Sequence, residues 1–358
     1  MIRLTRHYAL AAVIAAFGCD RSAPVAVPET ELGPAQWVLE VTGEPRLAVA
    51  EASLIAITMP GVRSVLFLNA LGDTVGTFGR AGEGPGEFRV AARSYRIGGE
   101  RLAVVDPALH RITIIDSVRR LIEVQTIPTP HDPFTLQLAR GGWLASQVAH
   151  ASATDSGIVL RSRSGSSRVD TVALVHTPAP VRVPLGETAI NTPPEYSASD
   201  SWGLSEDGGI WIARGGDNRV DLYPSDGTMQ KGNPVAFARI STTDADRRLW
   251  RGMPAPERFQ VAARPLAARK APFQDVKRSA NGEFWFWLNQ PAGHATEVYA
   301  CRTATSQELL RVRLPAAHKI VGLSATQVLV YRETADGAVA LSGHRRPGCN
   351  RTSAHAGV

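Results

Sequence analysis

The one stretch with the composition to cradle a phosphate is Gly79-Arg-Ala-Gly-Glu-Gly-Pro-Gly-Glu-Phe88, because a run of glycines can turn several backbone N–H groups onto an anion. A dinucleotide-binding fingerprint needs a third glycine where this chain has Glu87, and a P-loop needs Gly-Lys-Ser/Thr. Pro85 removes one of the amides, and Glu83 and Glu87 repel an anion. The decapeptide therefore reads as a compact turn that needs several left-handed glycines. Gly203-Leu-Ser205-Glu-Asp207 approaches the Gly-x-Ser-x-Gly nucleophile turn but ends in Asp, and reads as a turn before a strand. His-Glu-x-x-His, Cys-x-x-Cys and EF-hand patterns are absent. His110, His131, His150, His176, His294, His318 and His344 fall one per region without ligand spacing. No catalytic residue, resident metal or cofactor is expected.

Three cysteines remain to be placed. Arg3 and Arg6 precede an apolar run, Tyr8 to Phe17, that ends at Gly18-Cys19. A charged segment followed by about ten apolar residues is too short to span a bilayer and reads as an export signal. Ala16-Phe17-Gly18-Cys19 matches a bacterial lipobox at Gly18 and departs from it at Ala16 and Phe17. Cys19 is thus the candidate lipidation site, with ordinary secretion as the alternative. In an oxidising compartment Cys301 and Cys349 are expected to pair, two free buried thiols being the alternative. The expected layout is a signal over 1–18, a Pro- and Glu-rich tether over 19–35, the folded domain over 36–349 and a tail over 350–358.

These residues need elements to hold them, and the elements repeat. Arg101-Leu-Ala-Val-Val-Asp106 is followed by Arg111-Ile-Thr-Ile-Ile-Asp116. Gly209-Ile-Trp-Ile-Ala213 is followed by Arg219-Val-Asp-Leu-Tyr223, and Glu283-Phe-Trp-Phe-Trp287 by Glu297-Val-Tyr-Ala-Cys301. Each pair of apolar, β-rich runs across a short polar loop predicts an antiparallel hairpin. Gly98-Gly99, Asp207-Gly208 and Asn281-Gly282 supply the preceding tight turns. Weaker copies bring the total to six, starting near residues 53, 101, 142, 209, 283 and 327. Six units of about 40 to 70 residues with no helical period between them predict an all-β chain, a six-bladed β-propeller of four-stranded antiparallel blades.

The glycine-rich decapeptide, preceded by Leu71-Gly-Asp-Thr-Val75 and followed by Val105-Asp106 and Arg111-Ile112, resembles the junction of the first two blades in exported bacterial six-bladed propellers related to NHL-repeat proteins. The resemblance implies a fold and says little about function.

In an up-and-down blade the loops between second and third strands share one face with the connections between blades. The chain spends its extra length there, at His176 to Ser201 and Ile240 to Pro272, and long loops on a rigid scaffold are where function usually sits. Ligand-binding candidates on that face are His110, Asp217, Arg247, Trp250 and Arg251, with Asp275 at the start of a channel-lining strand. The net charge of +6 includes Arg3 and Arg6, and the remaining cations are scattered, so nucleic acid is not an expected partner. The expected function is a monomeric, exported scaffold, membrane-attached through its lipid anchor alone. It would bind an envelope protein, peptide or glycan. The alternative is a metal-dependent lactonase or esterase acting at the channel mouth, with Asp200 and Asp275 among its candidate ligands.

Overall fold

The computed structural model describes residues 27–349 apart from 43–44, 46–47, 51–53, 151–154, 186–187, 253–264 and 334–338. The candidate lipidation site Cys19 and the whole expected signal segment lie outside the described residues. Two short strands open the chain, β1 (Glu29–Glu31) and β2 (Ala35–Val41). The first blade is β3 (Ala48–Ala50), β4 (Leu54–Met59), β5 (Ser64–Asn69) and β6 (Thr74–Phe78). The second is β7 (Arg93–Gly98), β8 (Arg101–Asp106), β9 (Arg111–Ile115) and β10 (Leu121–Thr126). The third is β11 (Gln137–Ala139), β12 (Trp143–Ala149), β13 (Ser156–Arg163) and β14 (Val169–His176). A separate hairpin follows, β15 (Val181–Leu185) with β16 (Thr188–Thr192). The fourth blade has β17 (Ser201–Leu204), β18 (Ile210–Arg214) and β19 (Arg219–Tyr223), after which comes helix α1 (Asp244–Gly252). The fifth holds β20 (Phe273–Arg278), β21 (Phe284–Leu288), β22 (Thr296–Arg302) and β23 (Leu310–Pro315), and the sixth β24 (His318–Leu323), β25 (Gln327–Glu333) and β26 (Val339–Arg345).

The chain is therefore the six-bladed propeller its repeats predict, with two departures. The fourth blade is not four-stranded: its outer strand shrinks to one antiparallel bridge between Leu222 and Gln230. Pro224, Pro234 and three glycines (Gly216, Gly227, Gly232) border that edge, and such residues shorten ladders. In addition, the repeats found in the sequence begin at the second strand of each blade. Two of the innermost strands, β11 and β17, are only three and four residues long and carry little apolar signal.

Among the described residues the sixth blade has three strands of its own, and β2 adds the fourth by pairing antiparallel with β26. The ring is thus closed by the chain's beginning. β1, in the stretch expected to be a tether, adds a parallel fifth strand to β23. Its Glu29 pairs with Arg311 at 3.7 Å and also with Arg313.

The core lies between blades. Each of the six buried clusters among the described residues draws on two neighbouring blades. This accounts for the sequence pattern: a second strand is covered on both faces and reads as an unbroken apolar run, as Phe284, Trp285 and Phe286 do, all buried. Outer strands face water, so Leu121–Thr126 is almost wholly exposed. Cys301 and Cys349 are bonded within the cluster between blades five and six, with Cα atoms 5.9 Å apart.

The glycine-rich decapeptide forms the junction of blades one and two. The Glu87 carboxylate accepts from the Gly84 amide at 2.8 Å, the Glu83 amide at 3.1 Å and the Arg80 guanidinium at 2.9 Å. These contacts hold its carboxyl below the usual carboxylate value, the Gly84 amide contributing most. Where a phosphate loop would hold an external anion, this loop folds onto its own.

Candidate functional site

The first strands of blades two to six, β7, β11, β17, β20 and β24, border the central channel and turn side chains inward. Between them lies a cavity of about 590 Å3, within the range of small-ligand sites. Its wall combines cations, carboxylates, amides and aromatic rings in a way the sequence repeats alone do not reveal.

On β7, Arg93 and Tyr95 face the cavity. Tyr95 donates its hydroxyl to the Leu136 carbonyl at 3.0 Å, and the Arg93 guanidinium stands beside its oxygen. Burial pushes this phenol up to about 12, so it remains a neutral donor. Opposite, on β20, Asp275 and Lys277 point inward two residues apart and pair at 2.9 Å. The Asp275 carboxylate also accepts from the Val276 amide at 2.8 Å.

Blade four supplies the most constrained part of the wall. Asp200 is 4% exposed in its side chain and accepts from Arg214 at 2.7 Å, the His176 amide at 2.9 Å and the Gly215 amide at 3.0 Å. Behind it Arg214 also holds the fully buried Asp221 at 2.8 Å, which Arg219 contacts at 3.0 Å. Burial works against the Asp221 charge, yet the two guanidinium groups keep its carboxyl below the usual value. Trp202 donates its indole N–H to Gln147 of blade three at 2.8 Å. Gln137 accepts from the Leu204 amide at 2.9 Å, satisfying one unpaired edge N–H of β17. Trp211 reaches the cavity across Gly203, its cross-strand partner, where a Cβ would stand 2.4 Å from the indole.

The two insertions of the loop-rich face are joined to one another. The Glu195 amide donates to the Pro265 carbonyl, the Ala267 amide to that of Glu195 and the Ala271 amide to that of Tyr196, all within 2.9 Å. Lys270, 5% exposed, pairs with the buried Asp246 of α1, donates to the Gln290 carbonyl at 2.7 Å and lies 4.4 Å from the Tyr196 ring centre. Thr243 caps α1, its amide donating to Asp246 at 2.8 Å. The sequence predicts loops without structure of their own here, whereas a hairpin and a helix are present. The first insertion ends at Asp200 and Ser201, on the cavity wall.

Of the four ligand-binding candidates whose side chains are described, only Asp275 lines the cavity. His110 is exposed at a left-handed turn (φ 50°), its amide bonded to the Pro107 carbonyl. Asp217 pairs with Arg219 at the next loop. Arg247 is exposed on α1 and pairs with Asp244 at 2.8 Å. The backbone of Trp250 and Arg251 belongs to α1, and their side chains lie outside the described residues. Sequence reasoning passed over Arg93, Tyr95, Trp202 and Lys277. The alternation of large polar residues in Arg93-Ser-Tyr95 and Asp275-Val-Lys277 is the signal that finds them.

Metal-binding chemistry needs donors converging on one point. Among the described residues the one such group is Glu283, Cys301 and Cys349, whose sulfurs are joined in a disulfide. The channel carboxylates Asp200 and Asp275 sit on different blades, each engaged by a cation.

His131 is buried at the start of blade three between the hydroxyls of Ser146 (2.8 Å) and Ser162 (2.7 Å). Burial lowers its pKa, so the folded state prefers the neutral ring. Below the unfolded value of about 6.5 the unfolded chain binds the proton more readily. The stability this site confers is therefore complete above about pH 6.5 and declines as pH falls through that value towards the lower folded one. Urea unfolding of wild type and His131→Gln between pH 7.5 and 5 checks this. The stability difference between them should shrink with acidification, and a constant difference would contradict it.

No family model matches the sequence, and no curated protein matches it. Among solved structures the chain is similar to a DUF4221-family protein from Bacteroides vulgatus, with 8% identity, 89% of this chain and 99% of that chain covered, and a TM-score of 0.47. A Bacteroides fragilis protein described as a candidate for export gives 8% identity, 90% and 99% coverage and a TM-score of 0.48. Virginiamycin B lyase from Staphylococcus aureus gives 12% identity, 86% and 98% coverage and a TM-score of 0.42.

Proposed function

We propose that this chain is an exported binding propeller, held at the cell envelope through Cys19, that takes an exposed part of an envelope glycan or peptide into its channel from the loop-rich face. The observation that carries the proposal is the cavity of about 590 Å3 whose wall mixes charged, amide and indole groups beside two interlocked insertions. A channel that served only to complete the ring would have no need of such a wall, because polar side chains facing a cavity must be hydrated or matched by a ligand. Export is supported by the charged and apolar N-terminal run and by the pairing of Cys301 with Cys349. Fold likeness contributes nothing to the choice of ligand.

The test is to pass an envelope extract of the source organism over the immobilised protein and over Ser201→Trp, which puts an indole into the channel from the first residue of β17. Wild type should retain material that the variant does not, with equal urea midpoints for the two proteins. Equal retention would place the binding site outside the channel.

A further inference from the structure

The charge balance of the cavity wall points to the chemistry of its ligand, on the premise that the channel is the binding site. The wall carries three cations, Arg93, Lys277 and Arg278, and two carboxylates, Asp200 and Asp275. Asp200 is already matched by Arg214, which stands behind the wall, and Asp275 by its neighbour Lys277. Among the described residues no carboxylate lies within ion-pair distance of Arg93, whose guanidinium has five donors and stands beside the Tyr95 hydroxyl. Arg93 is the first residue of β7, at the loop-rich end of the channel. A guanidinium held in a concave, half-buried site with free donors is suited to two-pronged recognition of a carboxylate.

Around it the wall offers groups that suit a hydroxylated ring. Trp202 supplies flat apolar surface, and the Ser201 hydroxyl has no partner among the described residues. Indole beside hydroxyl and amide groups matches the alternating apolar and polar faces of a sugar.

We propose that the channel binds a carboxylate-bearing sugar, a uronic acid unit, with the carboxylate on Arg93 and the ring against the blade-four wall. A peptide C-terminus has the same carboxylate but lacks the hydroxylated ring, so it appears as an alternative outcome of the test.

The test is calorimetric titration of the purified chain with sodium glucuronate, glucose and N-acetylalanine, repeated on Arg93→Gln, Arg93→Lys and Ser201→Trp. Glucuronate should bind at least tenfold more tightly than either glucose or N-acetylalanine. Arg93→Gln should weaken it at least tenfold, Arg93→Lys should recover part of the loss, and Ser201→Trp should abolish it. Glucose binding as tightly as glucuronate, with Ser201→Trp abolishing both, would overturn the carboxylate assignment and leave the channel as the binding site. N-acetylalanine binding more tightly than glucuronate would replace the sugar with a peptide end. Glucuronate binding undiminished in Ser201→Trp would overturn the channel itself, and no binding of glucuronate to wild type would overturn the uronic acid proposal.

Discussion

Trp37→Ala will destabilise the folded chain by about 3–5 kcal/mol, the range for removing a large aromatic side chain from a packed core. Trp37 is 9% exposed and belongs to the cluster between blades six and one. Its site cannot collapse around a smaller side chain, because two glycines shape it. A Cβ at Gly72 or at Gly343 would stand 2.3 Å from the indole, so both backbones already approach as closely as they can. Among the described residues the Trp37 N–H has no hydrogen-bond partner, so the loss is one of packing. Trp37 also lies on β2, the strand that closes the ring, so its removal weakens the junction between the two ends of the fold. Val38, next in sequence but 57% exposed, provides the control. Val38→Ala should change stability by no more than about 0.5 kcal/mol. Urea unfolding of both variants decides the matter, and similar losses from the two would show that β2 does not close a packed interface.

Breaking the bond between Cys301 and Cys349 will have a comparable effect. The cross-link joins residues 48 apart in sequence and encloses blade six. In the chain-entropy model such a loop contributes about 4 kcal/mol by restricting the unfolded chain. Cys301→Ser with Cys349→Ser should therefore lower the unfolding free energy by about that amount. Wild type unfolded in the presence of a reductant should show the same loss, which separates the cross-link from the packing of the serines. A wild-type curve indifferent to reductant, with both thiols open to labelling after unfolding, would show that the chain does not carry the bond.

The two expected losses bear on one region, since blade six is tied to blade one through β2 and to blade five through the disulfide. Only part of this was legible in the sequence. The second and third strands of each blade are buried on both faces, so Leu102-Ala-Val-Val105 or Phe284-Trp-Phe286 announce themselves as apolar runs. Ring closure by Ala35–Val41 was hidden, because an outer strand exposed on one face has an alternating pattern that a short tether can mimic. Gln230 gave no strand signal for a related reason: one bridge requires no pattern. The site was still less legible. Loop length directed attention to His110, Asp217 and the α1 arginines, whereas the cavity wall is built mainly from the first strands of the contributing blades. Their inward residues are set by position in the ring. Arg93 and Lys277 become neighbours of one cavity only when blades two and five face each other across the channel.

The most direct measurement of the central claim is amide hydrogen exchange of the purified chain, alone and saturated with the material it retains from the envelope extract. Bound ligand should slow exchange in the channel-facing strands β7, β17 and β20 and in the joined insertions around Glu195 and Ala267. The outer strands β10 and β14 should exchange as before. Protection confined to those outer strands, with the channel strands unchanged, would contradict binding in the channel.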